Sequence, residues 1–128
     1  MKKMIKLNEM EFDRIVKKAL KGIPPEIRRH LDNILITVQK QPSRTMLKEM
    51  GLSGDRTLLG LYSGVSRLRR SATHPPLFPD TIFLFQEPIE SQCHTLEELE
   101  EQIRVTLVHE VAHALGMSEK ELQEFGYG

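Results

Sequence analysis

The chain has 128 residues, and its 18 Lys and Arg balance 18 Asp and Glu, so its formal net charge is zero. That length suits one domain over residues 1–128, with a core that needs no disulfide staples. The balanced charge argues against a dedicated nucleic-acid binder, and the apolar runs fall short of the ~20 residues of a membrane-spanning helix.

Asn8 to Lys21 carries Met10, Phe12, Ile15, Val16, Ala19 and Leu20 at helical spacing. Asn8 and Glu11 fit a capping box. Gly22 ends this helix, and Pro25 opens a short second one through His30. The β-branched run from Asn33 to Gln39 predicts a strand stopped by Pro42. Residues 43–56 are polar with two glycines and read as a loop with room for a helical turn. Leu58 to Tyr62 is a short extended segment. Residues 63–80 form a long loop with Arg67, Arg69, Arg70 and His74, and loops of that length in a small domain often carry function.

Thr81 to Phe85 predicts a third strand, buried on both faces and ended by Pro88. If it lies at a sheet edge, it is a place for an extended peptide to add a strand. Thr95 and Glu98 then fit a second capping box. Leu96, Leu99, Ile103, Leu107, Val111 and Ala114 continue a helix to Leu115, and Gly116 stops it. From Val105 onward this helix is apolar except for Thr106, His109, Glu110 and His113, which predicts burial all round. Ser118 and Glu121 cap a last short helix.

His109, Glu110 and His113 spell H-E-V-A-H. Two histidines at i and i+4 share one helical face and can meet one metal ion. Glu110 is offset by one position and suits a general base toward a water activated by zinc. Hydrolysis of an amide or another carbonyl bond is the chemistry this set supports. The plain alternative is a His/Glu/His cluster hydrogen-bonded to main-chain carbonyls.

A third ligand must come soon, because fifteen residues follow His113. Gly116 permits an immediate reversal. The compact pattern H-E-x-x-H-x-x-G-x-x-H has its last ligand at the position of Glu119 here, and a carboxylate serves zinc as well. The competing role for Glu119 is a first-turn acid favoured by the helix dipole. Oxyanion stabilisation draws on Tyr62, Tyr127, His74 or the arginines of the long loop. The ordinary reading of those arginines is a solvated loop. His30 and His94 sit at element ends and fit capping.

These residues and their order resemble the small bacterial zincin-like metallopeptidases, or minimal metalloprotease-like domains. The likeness runs through Gly22-Ile23-Pro24-Pro25-Glu26, Leu31-Asp32-Asn33, Leu58 to Tyr62, and Pro79-Asp80-Thr81-Ile82 ahead of the motif helix. It implies an α+β domain: a small mixed sheet packed against the H-E-x-x-H helix, with N-terminal helices beside it. It also implies Zn2+ and a peptidase acting on a peptide or protein substrate. The family usually has Asp where this chain has Glu119, and it lacks the methionine turn of larger zincins. Tyr127 can lie under or beside the site, and the ordinary reading of an aromatic there is a fraying residue.

The leading expectation is thus a zinc metallopeptidase with His109, His113 and Glu119 on the metal and Glu110 as base. The alternative is a non-catalytic metal-binding or interaction module on the same fold. An RNA-processing relative is disfavoured by the neutral charge and by the lack of a third histidine. With one cysteine, Cys93, and no apolar stretch behind its basic N-terminus, the chain reads as cytoplasmic, with no membrane or nucleic-acid partner. A homodimer is compatible with a small domain with apolar edges.

Overall fold

The computed structural model describes residues 5–49, 58–64 and 80–127, without the side chains of Glu49 and Glu119. In chain order the elements are α1 (Glu9–Lys21), α2 (Pro25–Leu31), β1 (Leu35–Gln39), α3 (Arg44–Glu49), β2 (Gly60–Ser63), β3 (Thr81–Phe85), α4 (Gln86–Ser91), α5 (Leu96–Leu115) and α6 (Glu119–Glu124). Helices packed on a small mixed sheet make this an α+β fold, as expected.

The sheet order is β1-β3-β2. β1 runs parallel to β3, with Leu35 opposite Thr81 and Gln39 opposite Phe85. β2 runs antiparallel to β3, with Gly60 opposite Leu84 and Ser63 opposite Thr81. β3 is therefore central, and its main chain is paired on both sides. This corrects the expectation that it can take a peptide strand, because no free edge is left on it. Among the described strands, β2 is the edge strand nearer α5.

The apolar stripe of α5 organises the core. Leu99, Ile103, Leu107, Val108 and Val111 are fully buried, as are Ile82, Leu84 and Phe85 of β3, Phe12 of α1 and Leu122 of α6. α5 packs against α1, α2, α4, β2 and β3, so the motif helix is the central element of the fold. Burying these side chains is the main favourable term, at about 1.5–3 kcal/mol for each large one.

The caps are those the residues dictate. Asn8 accepts from the Glu11 N–H at 2.8 Å, and Glu11 reaches back to the Asn8 N–H, which closes the first box. Thr95 accepts from the Glu98 N–H at 3.0 Å, but Glu98 reaches one residue further back, to the His94 N–H at 2.8 Å. The second expected box is therefore opened out by one residue.

Helix α4 was not expected. Pro88 stops no element here, since it falls in the first turn of a helix, where its missing N–H has no intrahelical acceptor to lose. The buried Gln86 and Glu90 of α4 hold the incoming chain. Gln86 donates to the Leu7 carbonyl at 2.8 Å, and Glu90 accepts from the Leu7 N–H at 2.8 Å. Among the described residues no helix is long and apolar enough to cross a membrane.

Candidate metal centre

α5 places H-E-V-A-H in its last two turns. Val108, Val111 and Ala112 face the core, which turns the polar residues between them outward. His113 is exposed, and His109 and Glu110 are half-buried. This corrects the expectation of a helix end buried all round. The apolar residues cover one broad face, and the motif lies where that face meets solvent.

Glu110 is fixed from the sheet. Its Oε1 accepts from the main-chain N–H of Tyr62 at 3.0 Å. Tyr62 stands in β2 at a position whose N–H points away from β3, because the register pairs Leu59 and Phe85 through the Phe85 N–H to Leu59 carbonyl bond at 3.0 Å. The close approach that allows this contact needs Gly60. A Cβ there would lie 2.6 Å from Thr106 Cγ2 and 3.6 Å from Glu110 Cγ, both on α5. Burial pushes the Glu110 carboxyl above the ordinary range, while the Tyr62 N–H and the two histidines pull the other way.

His109 is fixed from the C-terminal side. Its Nε2 lies 2.8 Å from the Tyr127 main-chain oxygen. That oxygen can only accept, so Nε2 carries the proton and donates. Tyr127 does stand beside the motif, but its carbonyl rather than its ring makes this bond. Hydrogen bonding of this kind was the plain alternative to a metal site, and His109 makes it.

The chain reverses after α5 as the glycine predicts. Gly116 has φ 73° and ψ 24°, and the Met117 N–H donates to the Ala112 carbonyl at 2.9 Å. Ser118 then caps α6 in a complete box with Glu121. Glu119 is the first residue of α6, one short turn from the end of the motif helix; its side chain lies outside the described residues. So do Arg67, Arg69, Arg70 and His74. Tyr62 is in reach of Glu110 through its main chain, and its hydroxyl lies near Gly64 and Asp80, where a Cβ on Gly64 would be 2.8 Å from it.

The donor chemistry suits a zinc-like cation: two imidazoles one turn apart, a carboxylate residue at the head of α6, and Glu110 held aside by the sheet. Among the described residues no three His, Cys, Asp or Glu side chains converge as a metal cluster. Of the two described histidines, His109 has its Nε2 engaged by the Tyr127 carbonyl, and His113 is exposed. Two contacts were missed from sequence, those of Tyr62 and Tyr127, because both use main-chain atoms and main-chain atoms leave no residue-type signal. A separate hollow of about 740 Å³, lined by Leu7, Lys40, Gln86 and Glu90, includes no motif residue.

Comparison with known proteins agrees with this architecture. A solved structure of a conserved hypothetical protein from Thermo thermophilus superposes with TM-score 0.56 at 20% identity, over 85% of this chain and 94% of that one. This likeness speaks for the fold. A search of curated proteins found no match. The family model described as zincin-like metallopeptidase matches residues 31–127, which takes in the whole sheet, the motif helix and the turn back through α6. The chain belongs to the zincin-like metallopeptidase family.

Proposed function

We propose that this protein is a zinc-dependent metallopeptidase with His109, His113 and Glu119 as ligands and Glu110 as general base. The observation that carries the reading is Glu110 itself. It sits between two helical histidines and accepts from the Tyr62 N–H of β2, which supports a base oriented from the sheet. A bound zinc ion would supply Lewis acidity toward a substrate carbonyl and toward water. Glu110 would accept the proton of the attacking water and pass it to the leaving amine, and burial raises its carboxyl above the ordinary range, the direction that favours such a proton carrier. The Tyr62 N–H orients that carboxylate from one side. The substrate is a peptide or protein segment.

The test separates base from ligands. Glu110→Ala is expected to keep zinc and fold while losing hydrolysis of a peptide library. Removing a general base typically costs about 10²–10⁴-fold in rate. Full hydrolysis by this variant would eliminate the mechanism. A second reading is favoured by one observation, the Tyr127 carbonyl on His109 Nε2. In that reading the fold serves as a metal-binding or interaction module without turnover. Tight zinc binding with no cleavage of any library peptide would support it.

A further inference from the structure

The contact between His109 and Tyr127 is built by three features. Gly116 turns the chain back at φ 73°, and fully buried Leu122 anchors α6 in the core. Gly126, at φ 87°, then repeats the same helix-ending turn. Its N–H donates to the Gln123 carbonyl at 2.9 Å, and the Tyr127 N–H donates to the Leu122 carbonyl at 2.9 Å. The outcome is a main-chain oxygen set 2.8 Å from His109 Nε2.

From this we infer that the turn Phe125–Tyr127 is a latch on His109 which a metal ion must displace. The inference rests on the metal-centre reading above. An imidazole nitrogen has one in-plane position, which holds either a proton donated to an acceptor or a metal. Here that position on Nε2 points at the Tyr127 carbonyl. Nε2 is also the ring nitrogen farther from the helix backbone. It faces the Tyr127 carbonyl, in the turn that follows α6. A zinc–nitrogen bond of about 2.0–2.1 Å in this direction has no room while the carbonyl stays docked. Docking of the turn and metal binding are therefore antagonistic. The moving unit is small, because Leu122 keeps α6 in the core when the last turn lifts.

The experiment is nitrogen-15 NMR of the histidine rings of the full chain, metal-free and after addition of zinc, beside zinc titration of Gly126→Val. Valine at a left-handed φ strains the latch and leaves the ligands in place. Metal-free protein is expected to carry the proton on His109 Nε2. Zinc is expected to take the Nε2 position, with the ring proton then carried on Nδ1 by exchange through solvent, and to expose the Tyr127 amide to exchange. Gly126→Val is expected to bind zinc more tightly by roughly 2- to 10-fold, the worth of one net hydrogen bond.

A zinc-bound chain that keeps the Nε2 proton and a protected Tyr127 amide overturns the latch and leaves the metal centre standing. So does a folded Gly126→Val chain with unchanged affinity. If Gly126→Val does not fold, the wild-type ring spectrum decides alone. Zinc binding by Gly126→Val but not by the wild type supports a closed latch. No binding by either chain overturns the latch and the metal centre together.

Discussion

Gly60 shows how a single residue governs the site. It has no side chain, so β2 lies close enough to α5 for the Tyr62 N–H to reach Glu110. Gly60→Ala is expected to push the strand off Thr106 and to destabilise the fold by about 1–3 kcal/mol, the usual range for overpacking. Urea unfolding measures this, and a wild-type midpoint would contradict the packing described. Cys93 makes a second case. It is buried, and burial together with the charge of Glu98 pushes its thiol above the usual 9.0. The folded state thus favours the thiol over the thiolate. Stability linked to Cys93 is full below the ordinary value and falls as pH rises through the folded value. Alkylation at pH 8 is expected to be slow in the folded chain and to reach an ordinary rate in urea; fast labelling of the folded chain would contradict the burial. The motif was legible at this scale because i, i+4 spacing fixes which side chains share a face. Its exposure was misjudged, because the composition of Val105 to Leu115 does not say that the apolar residues gather on the inward side.

At the scale of elements, caps and periodicity were the readable signals. Asn8, Thr95 and Ser118 each stand where their helices begin, and β3 spans Thr81 to Phe85 as its composition implies. Ser118→Ala is expected to loosen α6 by roughly 1 kcal/mol, the typical worth of a capping side chain. Faster amide exchange across residues 119–124 would register it, and unchanged exchange would show that the cap is idle. Ile103→Ala, at the fully buried centre of α5, should cost about 2–5 kcal/mol in chemical unfolding. A loss below about 1 kcal/mol would mean that α5 is not the organising helix. α4 was illegible because no residue marks its start. Phe85 precedes it without a side-chain cap, and its proline resembles a stop.

For the whole molecule, individual helices and strands could be read from periodicity and the class of fold from the family resemblance, but the order of strands could not. Periodicity assigns a strand its faces and says nothing of its neighbours. The order β1-β3-β2 therefore had to come from the structure, and with it the finding that Thr81–Phe85 has no free edge. This topology sets the edge strand β2 beside the outward face of α5, while α6 folds back over the end of that helix. The central claim is that these three elements meet at a metal centre. It is tested most directly by calorimetric titration of the chelator-stripped chain with zinc, alongside Glu119→Ala. The account predicts one tight site in the wild type, weakened at least about tenfold in the variant by loss of one carboxylate ligand. Absence of binding in a folded wild-type chain, or equal affinity in the two chains, would contradict it.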